Sequence, residues 1–391
     1  MNPIYFTPGP SQLYPTYQHH LQHAMELQLG SINHRSNVFR DIYKHTDEQL
    51  RKLLNVPSTH SIFFASSATE LWERILLNLV AEKSYHFVNG SFSKKFFDFA
   101  QLLQKNPMQA IANDGQGFDM NQVEIPNDIE LICTTQNETS TGVYTSSAQL
   151  SLLKDINPHI LLCSDLVSIA PYSSIDYTKL DCTFFSVQKA FGMPPGLGVL
   201  IVNNHCIEKS IELKKKGYNI GAHHTFESYQ KNYLQFETPS TPNVIAIYLI
   251  GKIAEDMNQK GIDNIREEIK LKADMLYNFG NESQLFSPFV DSKIHQSDTV
   301  VVLNSSVDSS IIINHLKDKG FHIGSGGPCA AVFILLSGRK GLSDRWGCPF
   351  FGRTPQNKDI CRAHVASLRI ISHPAPEWIL KKPFACLPLQ A

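Results

Sequence analysis

Asp181-Cys-Thr-Phe-Phe-Ser186-Val-Gln188-Lys189-Ala-Phe-Gly192-Met-Pro-Pro195-Gly-Leu-Gly198-Val-Leu-Ile-Val202-Asn203 sets one lysine between two apolar runs. The run before Lys189 reads as a strand, a glycine-proline turn follows it, and Val199 to Val202 resumes as a second strand. Lys189 is therefore expected at a strand end beside an irregular loop. Open α/β sheets keep their chemistry at such places, because the loop shapes a cleft while the sheet holds the side chain still. A lone lysine is ordinarily solvated, so the weight of this one depends on what the rest of the chain places near it.

The chain has 391 residues, 42% of them hydrophobic, which suits two or three domains with ordinary cores. Lys plus Arg number 35 and Asp plus Glu 36, so no net field draws nucleic acid or anionic lipid. The opening, Met1 to Pro10, has neither a basic segment nor an apolar core of a secretory signal, and no apolar run is long enough to span a bilayer. Eight cysteines without CxxC pairs indicate reduced thiols rather than a disulfide framework or a metal site. The expectation is a soluble cytoplasmic protein that holds no metal and handles small molecules.

Several other strand ends carry polar residues. Tyr5-Phe6-Thr7-Pro8-Gly9-Pro10 is extended, since its prolines and glycine forbid a helix. His34-Arg35 precede a helix predicted over Val38 to Leu54, where guanidinium donors and free helix amides suit an anion. Ser66-Ser67-Ala68-Thr69 joins a strand, Ser61 to Ala65, to a helix, Thr69 to Glu82; this is an N-cap or a phosphate cradle. Phe92 lies just past the strand Tyr85 to Asn89, as core filler or as a stacking ring. Asn137-Glu138-Thr139 leaves a strand for a polar loop, as a turn or as a donor site. His159 to Asp165 is an apolar strand that ends on a carboxylate, one crossover ahead of Lys189. Glu237-Thr238-Pro239-Ser240-Thr241-Pro242 breaks structure before a helix from about Asn243 to Gln259.

In this order the segments resemble the class V pyridoxal-phosphate-dependent aminotransferases, and within them the phosphoserine aminotransferases. Ser186-Val187-Gln188-Lys189 with the glycine-proline turn Gly192-Met-Pro-Pro-Gly-Leu-Gly198 and Asn137-Glu138-Thr139-x-x-Gly142 are the most specific matches. The resemblance implies pyridoxal 5'-phosphate as cofactor and Lys189 as its Schiff-base lysine, an amine whose pKa must be lowered by burial or a nearby cation. It makes Asp165 the partner of the pyridine nitrogen, Phe92 the ring stacked on the pyridine and Thr139 the donor to the phenolic oxygen. Ser67, Ala68 and Thr69 become the phosphate cradle, where relatives usually have glycine, and Gln188 joins the cofactor site. His34 and Arg35 would meet a substrate phosphate and Thr238 a cofactor phosphate, each in the neighbouring subunit of a homodimer with shared sites. Glu237 stands where those relatives carry asparagine, and a carboxylate there would repel a phosphate unless it points away.

The implied fold is α/β, of the fold-type I aspartate-aminotransferase kind: a large domain over residues 12–250 with a parallel-rich mixed sheet, and a small domain from 1–11 and 251–391. The implied reaction transfers an amino group between phosphoserine and 2-oxoglutarate in serine biosynthesis. Alanine-glyoxylate or serine-pyruvate transamination, and a cofactor-binding relative with impaired activity, are the alternatives. Residues 327–391 depart from the pattern, holding four of the eight cysteines and two of the three tryptophans without periodicity. Ser367 to Ile371 resembles the family's carboxylate-gripping strand, with Arg369 as the grip, but stands late. An insertion looped out from Gly327 to Ala366, a divergent tail and a tail outside its ancestral reading frame all account for that.

Overall fold

The computed structural model describes residues 3–325 and 331–335. Its strands are, in chain order, β1 Ile4–Phe6, β2 His60–Ala65, β3 Ser84–Val88, β4 Met108–Ile111, β5 Leu131–Thr135, β6 Asn137–Glu138, β7 Val143–Tyr144, β8 Leu161–Asp165, β9 Cys182–Ser186, β10 Gly198–Asn203, β11 Phe286–Pro288, β12 Val300–Ser305, β13 Phe321–Ser325 and β14 Ala331–Leu335. The helices are α1 Tyr17–Glu26, α2 Asn37–Leu54, α3 Ala68–Leu79, α4 Ser91–Leu102, α5 Ser147–Ile156, α6 Asn204–Lys215, α7 Phe226–Tyr233, α8 Val244–Lys260, α9 Ile262–Glu282 and α10 Ser309–Asp318.

Seven strands form the main sheet in the order β2-β10-β9-β8-β5-β3-β4. β9, β8, β5, β3 and β4 run parallel, while β10 is antiparallel to both β9 and β2. The central strands β9 and β10 are largely apolar runs because both faces are covered, whereas edge strand β4 is mostly exposed. Phe64, Phe185, Val199 and Ile201 pack toward Phe39, Tyr43 and Leu50 of α2 and Ile247 and Ile250 of α8. Their neighbours Phe63, Phe184, Leu200 and Val202 point the other way, onto Leu71, Trp72 and Ile75 of α3, Phe96 of α4 and Tyr229 of α7. Burying each such side chain contributes about 1.5–3 kcal/mol, so the strand ends are anchored from both sides.

A second sheet has the order β1-β13-β14-β12-β11. The N-terminal strand joins it in parallel with β13, Ile4 opposite Phe321, while β14 lies antiparallel to both β13 and β12.

The architecture is the expected mixed α/β sheet, with local corrections. Lys189 is not at a strand end: β9 stops at Ser186, and the lysine lies three residues further on, in a turn closed by the bond from the Gly192 amide to the Lys189 carbonyl. The helix expected to Glu82 ends at Leu79, where Val80 is already extended. The helix expected from about Asn243 to Gln259 is α8, and Gly261 at φ 85°, a left-handed conformation that costs glycine little, separates it from α9. Of the stretch Gly327 to Ala366 expected to loop out, Ala331–Leu335 instead form an interior strand of the second sheet, and residues 336–366 lie outside the described residues. Arg369 lies outside the described residues. Among the described residues no helix is long and apolar enough to cross a membrane.

Candidate active site

The Lys189 side chain is buried at 5% exposure, in the turn between β9 and β10. Its Nζ donates to Thr139 Oγ1 at 2.7 Å and lies 5.1 Å from the centre of the Phe92 ring. Burial pushes its ammonium down to about 8, against the pull of the Asp165 and Glu138 carboxylates. A neutral amine is thereby accessible near neutral pH without a neighbouring cation. The N-terminal segment lies along the lysine stem. Ser11 donates its amide to the Gln188 carbonyl at 2.9 Å and its hydroxyl to the Lys189 carbonyl at 2.5 Å. A Cβ on Gly9 would meet Lys189 Cε at 3.1 Å, and φ there is 133°.

Asp165 closes β8 and is buried at 4% exposure. One carboxylate oxygen accepts the Val167 amide at 2.8 Å and the other accepts Trp72 Nε1 at 3.3 Å. Burial raises its acid to about 6, while the Val167 amide, Lys189 and the indole pull it back. Phe92 lies in the first turn of α4, whose amides are gripped by Glu138: Phe92 N at 3.1 Å and Ser93 N at 2.8 Å from Oε2. A Cβ on Gly90 would lie 2.4 Å from Glu138 Cγ, so the glycine makes room for this carboxylate. Glu138 thus aims the aromatic ring, and its motif neighbour Thr139 meets the lysine.

Ser67 is the N-cap of α3, its hydroxyl accepting the Glu70 amide at 3.1 Å. The capping reading therefore holds for that side chain. The first-turn amides of Ala68 and Thr69, which have no intrahelical partner, are what a phosphate can use. Gly198 opens β10 against this turn, since a Cβ there would lie 2.7 Å from the Ser67 carbonyl carbon. Gln188 Oε1 is buried without a hydrogen-bond partner.

Arg35 pairs through Nη1 with Glu237 and bonds Asn232 at 3.0 Å. Arg40 meets the other oxygen of Glu237 at 2.6 Å and 3.1 Å. Glu237 is accordingly held by two guanidiniums of its own chain, with its acid lowered first by the Arg40 bond. Thr238 is buried and bonds the Ser240 carbonyl at 2.8 Å. Among the described residues no hydrogen bond or ion pair joins His34, Arg35 or Thr238 to Lys189, Thr139 or Asp165.

Sequence reading missed Trp72, an aromatic on the inner face of a helix with nothing in its spacing to set it apart from core. Its ring packs on Phe96 at 5.9 Å and its N–H reaches Asp165. Trp72→Phe should keep the packing and lose the donor, at roughly 1 kcal/mol. The Asp165 midpoint, read from the pH dependence of urea unfolding in the cofactor-free protein, should then move up from about 6 by somewhat under about one pH unit. An unmoved midpoint means that the indole does not hold the carboxylate.

A sheet of this topology, with a buried lysine facing a buried carboxylate and an aromatic ring, defines a fold-type I pyridoxal-phosphate transferase. The profile of the family described as "Aminotransferase class-V" matches residues 6–343, and the chain belongs to that family. It is a transaminase, and its cofactor is pyridoxal 5'-phosphate. Among solved structures it is similar to a phosphoserine aminotransferase from Cytophaga hutchinsonii, 41% identical with a TM-score of 0.85, over 86% of this chain and 95% of that one. It shares its fold with an aspartate aminotransferase from Thermus thermophilus, 18% identical with a TM-score of 0.72, over 94% and 99% of the two chains. A phosphoserine aminotransferase from Rhodococcus opacus is 24% identical over 319 residues, 80% of this chain and 83% of that protein.

The residues present fit the cofactor. The orphaned Gln188 Oε1, the missing Cβ at Gly9 over the lysine stem, the depressed amine and the raised acid are all features that such a group explains.

Proposed function

We propose that the protein interconverts phosphoserine and 3-phosphohydroxypyruvate with 2-oxoglutarate and glutamate as the other pair. The observation that carries the reading is the Lys189–Thr139–Phe92 cluster in a chain 41% identical to a phosphoserine aminotransferase. In this reading Lys189 holds the cofactor, the α3 amides of Ala68 and Thr69 with Gln188 hold its phosphate end, Phe92 covers one ring face and Asp165 faces the ring nitrogen. Pyridoxal phosphate, when bound, supplies an electron sink for the substrate's Cα–H bond. The chain's own part is proton management. Asp165 holds its negative charge where a protonated ring nitrogen needs it, and Lys189 Nζ, released from Thr139, takes the Cα proton as a general base with a pKa near the working pH.

His34, Arg35 and Thr238, which make no hydrogen bond or ion pair to Lys189, Thr139 or Asp165 among the described residues, serve the site of a second copy in a homodimer. The division into a unit of residues 12–250 and one of 1–11 with 251–391, and a cytoplasmic location, belong to the same reading. The test is kinetic. Replacing His34 and Arg35 by alanine together should raise KM for phosphoserine by tenfold to a hundredfold, from about 1.5–3 kcal/mol for a lost charge-assisted contact, and leave glutamate nearly unchanged. Mixing that variant with Lys189→Ala should restore activity, because one of the two sites in a mixed dimer is then whole. Equal weakening of both substrates, or no restoration on mixing, refutes the assignment.

A second reading has one observation in its favour. Glu237 already occupies Arg35 and Arg40, so an alanine-glyoxylate or serine-pyruvate type of reaction, with no substrate phosphate, is compatible with the cluster. Turnover of alanine or serine with no saturable use of phosphoserine favours it.

A further inference from the structure

At the N-terminal end of α3, on the rim of the turn whose amides a phosphate can use, three side chains from two distant parts of the chain converge. Glu70, His223 and His224 each offer a ligand atom, and those atoms lie within 4.8 Å of one another. From this convergence we propose a binding site for a borderline divalent transition-metal ion, of the Zn2+, Co2+ or Ni2+ kind. Two imidazoles and a carboxylate, with solvent completing the shell, are the donor set such ions take.

The surroundings hold these groups as ligands are held. The Glu70 carboxylate is fixed through Oε2 by the Ser66 amide at 2.9 Å and hydroxyl at 2.5 Å, which leaves Oε1 directed to His224. His224 places Nδ1 2.6 Å from that oxygen, while its other nitrogen is 3.3 Å from Ser240 Oγ. A ligating histidine whose second nitrogen is engaged in this way has its ring orientation fixed. The His224 ring also lies on Tyr229 at 4.7 Å, and its backbone takes φ 56°, an uncommon conformation for a non-glycine residue that turns the ring inward. His223 is exposed and stacked on His224 at 3.6 Å between ring centres, so it offers the entry path and can turn a nitrogen to the shared point.

Binding is an exchange. His224 binds as the tautomer that carries its proton on Nε2, directed to Ser240 Oγ, so any hydrogen on Nδ1 toward Glu70 Oε1 is given up, and the ion takes the lone pairs of Nδ1 and Oε1 plus one from His223, with no change of oxidation state. Opposing it, Arg74 Nε stands 3.9 Å from Glu70 Oε1, and its guanidinium also bonds the His223 carbonyl at 3.2 Å. That fixed cation sets the affinity below that of an all-imidazole site. An ion there would tie the segment before α7 to the start of α3.

The experiment is a Co2+ titration of the full chain followed in the visible and near-ultraviolet, alongside Zn2+ calorimetry, for the parent, His223→Ala, Glu70→Gln and Ser240→Ala. One saturable Co2+ per chain is expected, with d–d bands and no thiolate charge-transfer band. Affinity should fall by about tenfold or more in His223→Ala and in Glu70→Gln, and less in Ser240→Ala. His223 is exposed, so its variant keeps the fold and decides the matter even if Glu70→Gln is unstable. Undiminished binding in His223→Ala, a thiolate band marking the cysteines as ligands, or the absence of saturable binding overturns the site.

Discussion

Lys189→Ala abolishes the borohydride-reducible link between protein and pyridoxal phosphate and lowers transamination by orders of magnitude. The reason is environment as much as identity. Lys105, also buried, has its ammonium bound to the Val80 carbonyl at 2.7 Å and is not free to stand in. A second consequence is visible without cofactor. The folded protein holds the Lys189 proton less tightly than the unfolded chain, so folding is penalised as pH drops below the ordinary 10.5, and the penalty is complete below about 8. At 1.36 kcal/mol per pH unit this amounts to about 3 kcal/mol at neutral pH, less roughly 1 kcal/mol for the bond to Thr139. Lys189→Met, which fills the same space, should therefore make the cofactor-free protein more resistant to urea at pH 7. Its advantage should vanish above about pH 10.5, where the parent lysine is neutral in both states. A variant that keeps the reducible adduct, or a methionine variant less stable at pH 7, contradicts the assignment.

Asp165→Asn should slow the half-reaction with glutamate by orders of magnitude while leaving the fold intact. The amide oxygen still accepts the Val167 N–H, but a neutral side chain cannot keep a facing ring nitrogen protonated. Here too the cofactor-free protein reports independently. The folded acid is raised from 3.8 to about 6, so the folded state holds this proton more tightly than the unfolded chain. Stability from this group is full below about 3.8 and is lost as pH rises through about 6. The asparagine variant escapes that loss. It should gain up to about 3 kcal/mol over the parent at pH 8 and nothing at pH 4, with part of the gain cancelled by the lost acceptor for Trp72. Parallel stability curves for the two proteins across that range, or an unchanged half-reaction, remove Asp165 from the role. Because Lys189 and Asp165 attract each other, the two substitutions should not be additive.

Much of this arrangement could be read from local sequence. Asp165 ends an apolar run that reads as a buried strand, Lys189, Thr139 and Phe92 each come shortly after one, and a parallel sheet delivers the ends of such strands to one edge. Their order along the chain therefore carried their spatial grouping. The hydroxyl-rich start of α3 was legible for the same reason, since small polar residues between a strand and a helix either cap or bind. What they do with their own side chains was not legible, and Ser67 is in fact spent on the cap.

The amino-acid sequence by itself determined the alternation of strands and helices, the family, and the polar residues at or just past the strand ends, because periodicity and turn chemistry are local and survive in one dimension. Tertiary structure alone decided the rest. It put the Trp72 indole on Asp165, Glu138 under the first turn of α4, Glu237 between Arg35 and Arg40, and Glu70 beside His224. It also gave Ala331–Leu335 an interior place in the second sheet, where the sequence offered only an irregular tail. Each of these is a contact between residues far apart in the chain, and no periodicity records which distant side chain will fill a hydrogen bond or neutralise a charge; that is settled by packing, when a buried polar group must find its partner.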